Sequence, residues 1–233
     1  MYSDSGINEF QNLHTLKTNF DCMGTVFRFT VSAVENDQVD RIAALIEKAS
    51  ETLREADRIF SLYKPDSPLA RLARGEVSIG DCPPEVAMIW DQCERWEIQT
   101  SGYFRALNPQ RIFDPSGLVK AWAAERAADI LRHGGVQQFT LNAGGDVLIA
   151  ESTAAAELWR VAISKPISIA SPDFELLTVL DLANTGFCAV ATSGSAERGA
   201  HIWNPREPGK TPDDLLAATV VAADLVTADI WAT

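Results

Sequence analysis

The sequence predicts a mixed α/β protein, a single domain with a largely antiparallel sheet and packed helices. Three observations predict it. Long stretches with a helical apolar period lie mainly in the first 132 residues of a 233-residue chain. Short alternating or apolar runs bounded by turn residues dominate the C-terminal part. The length suits one large domain, with no internal repeat, low-complexity tract or linker to divide it.

The elements run in order along the chain. Residues 1–20 read as a loose leader, and 21–233 as the domain. "TVFRFTVSA" (25–33) alternates apolar and polar positions, as a half-buried strand does. Asn36 and Asp37 are placed to cap a helix from Gln38 to about Phe60. Its Ile42, Leu45, Ile46, Ala49, Leu53, Ala56, Ile59 and Phe60 share one face. The prolines of "YKPDSP" (63–68) end it. A second helix lies within residues 83–102, with Pro83 and Pro84 at its start and Gly102 past its end. "DPSG" (114–117) opens a third, from about Leu118 to Arg132, closed by Gly134 and Gly135. Strands are expected at 138–142, 146–150, 159–164, 176–182, 187–192 and 218–223. The apolar tail "ADLVTADIWAT" (223–233) reads as a short helix.

Composition narrows the function. Twenty basic against 32 acidic residues give a net charge of −12, with no basic cluster. That argues against a nucleic-acid partner. A phosphate-bearing ligand would need a metal, a local Lys or backbone N–H groups to offset the field. Cys22, Cys82, Cys93 and Cys188 form no C-x-x-C pair and fit no zinc spacing; they read as reduced thiols, the alternative being a Cys82–Cys93 pair. The N-terminal segment has no signal-peptide pattern and no run approaches a membrane span. A cytoplasmic protein without membrane association is expected.

Four features could carry chemistry. Asp229 and Thr233 stand four apart on the tail helix and so share a face. A carboxylate and a hydroxyl are hard donors of the kind Mg²⁺ accepts; the plain alternative is a solvated or capping acid beside a terminal Thr. In "NAGGDVLIA" (142–150), Gly144 and Gly145 permit positive φ and close approach of a ligand, with Asp146 next; the alternative is an ordinary turn. In "VATSGSAERGAHIWNP" (190–205), Thr192 and Ser193 end an apolar strand and His201 lies beyond as an acid–base or phosphate-binding group, or as a structural His. Lys120 falls in the first turn of the third helix, where free N–H groups already attract anions, unless it is simply solvated.

Together, "MGTVFRF", "FSLYKPDSPLARL", "DPSGLVKAWAAERAADIL", "NAGGD", "WRVAI", "ATSG", "HIWNP" and "ADIWAT" resemble, in order and spacing, the ApbE family of FAD:protein FMN transferases, or flavin transferases. The resemblance runs from about residue 20 to the end and implies a T-fold-like domain. It implies Mg²⁺ and FAD, with FMN passed to a Ser or Thr hydroxyl of a target flavoprotein and AMP released. By this resemblance Asp229 and Thr233 serve the metal, with the backbone carbonyl of Val119 as third ligand. Met23, Tyr63, Lys120, Gly144, Gly145, Asp146, Thr192, Ser193 and His201 match FAD-site positions. His201 and Asp229 are candidates to take the acceptor's proton. The chain departs from the family pattern at Ala73, at Ala121 after the motif Lys, at Asn204 before the motif Pro, at "REPG" (206–209), and in ending at Thr233. Two alternatives share the site: hydrolysis of FAD to FMN and AMP, and non-catalytic FAD binding or delivery.

Overall fold

A computed structural model describes residues 14–108, 110–150, 160–166, 175–194, 204–207 and 215–233. The chain opens with a hairpin of β1 (His14–Cys22) and β2 (Thr25–Val34). Its turn is Met23–Gly24, with φ of 52° and 69°. Two consecutive positive φ values are what a two-residue hairpin loop needs to match the strand twist. Part of the expected leader, residues 14–20, is therefore strand, and the rest lies outside the described residues.

Helix α1 (Val39–Phe60) buries Ile42, Ile46, Ala49, Leu53, Ala56, Ile59 and Phe60, the face expected from the 3.6-residue period. The expected cap is corrected. Asn36–Gln38 form a 3₁₀ turn, no side chain caps α1, and the Asn36 amide oxygen lies 2.5 Å from His14 Nε2. Helices α2 (Pro68–Ala73), α3 (Pro84–Gln99) and α4 (Ser116–His133) come after it. Ser67 caps α2 by accepting the Ala70 N–H at 3.0 Å.

The strands β3 (Phe139–Ala143), β4 (Asp146–Ala150), β5 (Arg160–Ser164), β6 (Leu176–Asp181), β7 (Ala189–Gly194) and β8 (Ala217–Ala222) come next, then α5 (Leu225–Ala232). Six strands form one sheet in the order β1-β2-β3-β4-β7-β8, each antiparallel to its neighbours; β5 and β6 form a separate antiparallel ribbon.

Alternation sets the faces. Phe27, Phe29, Phe139, Leu141 and Leu148 are fully buried in one core with α1, α4 and α5. A smaller apolar cluster joins Ile149 and Val190 of the sheet to Val161 and Ile163 of the ribbon, with Leu182 just past β6. Helix α4 is the central rod. Its Ala121, Ala123, Ala124, Ala127 and Ala128 are all fully buried, and these small side chains admit α1, α5 and the sheet at close range. Among the described residues no helix is long and apolar enough to cross a membrane.

Candidate active site

Antiparallel order brings several chain segments to one end of the sheet. The β1–β2 turn, the β3–β4 turn, the end of β7 and the start of β8 all lie there. In the β3–β4 hairpin Ala143 pairs with Asp146, and Gly144 and Gly145 span the turn with φ of 64° and 101°. Gly144 has a second reason to be glycine: an added Cβ would fall 2.2 Å from Thr25 Oγ1. Its N–H donates to the Val26 carbonyl at 3.0 Å, and the Gly145 N–H donates to Asn142 Oδ1 at 3.1 Å. The turn is thus tied to β2 and braced by its own strand.

That turn delivers Asp146 into the protein, where it is 1% exposed. Its Oδ1 accepts the Thr192 N–H of β7 at 3.0 Å, and its Oδ2 meets the Lys120 ammonium. Lys120 projects from the first turn and a half of α4 and also reaches Asp229 Oδ2, at 3.5 Å. Asp229 is 2% exposed. One lysine from α4 therefore joins a carboxylate from the sheet to a carboxylate from the last helix. Buried charges need such partners, because desolvation of an unpaired carboxylate costs several kcal/mol.

Helix α5 positions Asp229. Asp224 caps it, with Oδ1 accepting the Thr227 N–H and Oδ2 accepting the Thr227 hydroxyl, both at 2.7 Å. At the other end the Thr233 N–H donates to the Asp229 carbonyl at 3.0 Å, so the i,i+4 relation holds. The Thr233 hydroxyl lies 3.0 Å from Ser193 Oγ. Lys120, Asp146 and Asp229 thus form one charged centre, and the Ser193–Thr233 hydroxyl pair is tied to it through the backbones of β7 and α5.

The other sequence candidates fall differently. Thr192 enters through its N–H; its hydroxyl points across the ladder to Thr219 Oγ1, 2.8 Å away. Val119 is buried in the first turn of α4, its N–H donating to the Pro115 carbonyl at 2.9 Å. Met23 forms the β1–β2 turn at the same sheet end and packs partly against the core. Tyr63 is 98% exposed in the α1–α2 loop, outside the polar centre. His201 lies outside the described residues. Sequence reasoning missed Glu125, whose Oε1 accepts the Leu225 N–H at 2.6 Å, and the Asn142 brace, which an Asn ahead of a Gly pair could have signalled.

The donor set suits a hard cation. Asp146, Asp229, Ser193 and Thr233 offer only oxygen, and among the described residues the two carboxylates share one ammonium. Among the described residues no group of three or more His, Cys, Asp or Glu forms a metal cluster, so a cation here would rely on hydroxyl, carbonyl or substrate oxygens as well. The thiols stand apart. Burial pushes Cys93 up to about 12 and Cys22 up to about 11, with Asp114 and Asp57 adding repulsion in turn.

The chain matches the ApbE family over residues 23–109 and 105–233. It belongs to the ApbE family. Among curated relatives, the FAD:protein FMN transferase of Escherichia coli K12 is 22% identical over 272 residues, covering 91% of this chain and 75% of that protein. The one from Vibrio cholerae is 26% identical over 133 residues, covering 54% of this chain and 38% of that protein. The match thus spans less than half the length of the V. cholerae relative. The fold agrees with the solved flavin transferase ApbE of V. cholerae, with a TM-score of 0.74 over 94% of this chain and 85% of that one at 17% identity. It also agrees with the apo flavinyl transferase ApbE of Pseudomonas stutzeri, with a TM-score of 0.71 over 95% and 83% at 19% identity.

Proposed function

We propose that this ApbE-family protein is a Mg²⁺-dependent FAD:protein FMN transferase. It would attach FMN through a phosphoester bond to a Ser or Thr hydroxyl of a target flavoprotein and release AMP. The observation that carries the reading is the Lys120 bridge between Asp146 and Asp229 at the sheet end. A pyrophosphate needs concentrated positive charge in a chain of net charge −12; Lys120 brings an ammonium to the site, and the two carboxylates it joins would hold the cation that adds to it. Four cysteines present as free thiols fit a cytoplasmic setting.

The roles follow from chemistry. Asp229 and Thr233 would hold Mg²⁺, with the Val119 carbonyl offering its second lone pair. When bound, the ion neutralises phosphate charge and eases departure of AMP. Lys120 places an ammonium beside the same phosphates, and Asp146 fixes that ammonium against β4. The Gly144–Gly145 turn presents backbone close to the ligand, and Met23, Thr192 and Ser193 line the same sheet end. Tyr63, exposed on its loop, offers a ring for stacking. The acceptor oxygen forms a bond to the FMN-side phosphorus, and the P–O bond to AMP breaks. The hydroxyl proton passes to Asp229 or His201, and loss of a limb of the pH–rate profile in one variant names which.

The test is incubation with FAD, MgCl₂ and a candidate acceptor flavoprotein, with in-gel flavin fluorescence and AMP quantification as the readouts. Fluorescent acceptor and equimolar AMP are expected. Free FMN without labelled protein would instead make water the acceptor, and FAD binding that survives EDTA without AMP release would make the protein a carrier. Asp229→Ala should lower Mg²⁺-dependent turnover at least a hundredfold and abolish any Mg²⁺-induced rise in Tm. Normal turnover in that variant would remove Asp229 from the metal site.

A further inference from the structure

The last helix and its C-terminal cap carry two of the residues assigned to the reaction, Asp229 and Thr233, yet the helix has only eight residues. A helix so short does not hold its own position; its neighbours must. Apolar packing through Leu225, Ala228, Ile230 and Ala232 seats it against the core. Such packing tolerates sliding along the helix axis more readily than a polar contact does, because hydrogen bonds weaken steeply with misalignment.

Two polar contacts from α4 fix the axial position. Lys120 reaches Asp229 near the C-terminal end of α5. Glu125 reaches its N-terminal end, where Oε1 accepts the Leu225 N–H at 2.6 Å. Lys120 and Glu125 are separated by about 7.5 Å of helix rise, and Leu225 and Asp229 by about 6 Å. The near match lets both contacts form at once between helices running in opposite directions. The Leu225 N–H belongs to the first turn, which has no carbonyl partner inside the helix. A carboxylate there gains a charge-assisted bond and a favourable dipole interaction. Glu125 is itself held, since its other oxygen meets Arg132 Nη1 at 3.2 Å and its side chain is 19% exposed.

We propose that Glu125 is a positioning residue for the reaction. By gripping the N-terminus of α5 it sets where Asp229 and Thr233 stand relative to Lys120, and so sets metal affinity without touching substrate. Only the kinetic arm of this inference rests on the transferase reading.

Glu125→Ala and Glu125→Gln separate this role from general stability. Hydrogen exchange of the Leu225–Ala232 amides should quicken about ten- to a hundredfold in Glu125→Ala, the loss of one charge-assisted bond. The Glu85–Gln99 amides of α3 should be unchanged, and Glu125→Gln, which keeps a carbonyl acceptor, should recover most of the protection. In FMN transfer, Glu125→Ala should raise the Mg²⁺ concentration for half-maximal rate about tenfold, with kcat at saturating Mg²⁺ within about threefold of wild type. Unchanged α5 exchange in Glu125→Ala, or Glu125→Gln as exposed as Glu125→Ala, overturns the proposal. A kcat loss with no change in Mg²⁺ requirement does so as well. A wild-type chain inactive in transfer overturns the transferase reading, and the exchange result alone then decides Glu125.

Discussion

Gly144→Ala should be among the more damaging single-methyl additions in this protein, and the structure divides its cost in two. The residue sits at φ 64°, where a non-glycine residue loses about 1–2 kcal/mol. The new Cβ would also lie 2.2 Å from Thr25 Oγ1, 3.0 Å from its Cβ and 3.1 Å from its Cγ2. Relieving such overlap by shifting β2 or the Thr25 rotamer costs about 1–3 kcal/mol. A total near 3 kcal/mol lowers Tm by roughly 6–12 °C at this chain length. Gly145→Ala is the internal control: it has positive φ but no neighbour within 4 Å of its added Cβ. The assay is denaturant unfolding of both variants, each in wild-type and Thr25→Ala backgrounds. Removing Oγ1 and Cγ2 should recover about 1–2 kcal/mol for Gly144→Ala and nothing for Gly145→Ala. Equal costs for Gly144→Ala in both backgrounds would refute the claim that the β3–β4 turn is seated on β2 through Thr25. The placement of Asp146 relative to Lys120 would then need another explanation.

Two further expectations rest on other parts of the molecule. Asp224→Ala removes the acceptor of both the Thr227 N–H and hydroxyl, and should cost about 1–2 kcal/mol in thermal unfolding; a loss within a few tenths would show that packing alone holds α5. Cys93 and Cys22 are raised, so their protonated forms stabilise the fold fully below about pH 9, the ordinary thiol value, and that stability declines as pH climbs toward 11–12. A thiol reagent at pH 8 should therefore leave both unlabelled in the native protein and label them on unfolding; rapid native labelling would contradict their burial.

The sequence made most elements legible because their signals are local. The α1 face, the Gly-closed end of α4 and the alternating β2 and β3 all arise from period and punctuation. Strand β1 did not, since it is an edge strand whose burial pattern shows mostly exposed positions, with Leu16 and Phe20 only partly covered. The Asn36 cap failed because that side chain is close to His14, a neighbour 22 residues away that no local rule sees. The same division runs through the site. Asp229 and Thr233 are related by helix pitch, so their shared face was readable. That Lys120 would bridge Asp146 and Asp229, or that Ser193 would meet Thr233, depends on where the sheet ends relative to two helices. Spacing along the chain carries no such information.

The two acids of the tail show why composition alone misleads about a site. Asp224 and Asp229 lie five residues apart in an apolar stretch, and either could be taken for a solvated charge. The structure gives them opposite tasks. Asp224 commits both oxygens to Thr227 and closes the start of the helix. Asp229, one turn on and 2% exposed, is turned toward a lysine that another carboxylate already shares. Burying a second carboxylate beside one ammonium opposes stability unless something further cationic joins it, because both acids are desolvated and, among the described residues, they share the Lys120 ammonium. A fold selected for stability alone would place an apolar side chain at position 229. Asp229→Asn should therefore leave the folded protein at least as stable in the absence of metal while weakening Mg²⁺ binding. A clear loss of metal-free stability in that variant would mean that the acid serves the fold rather than the chemistry.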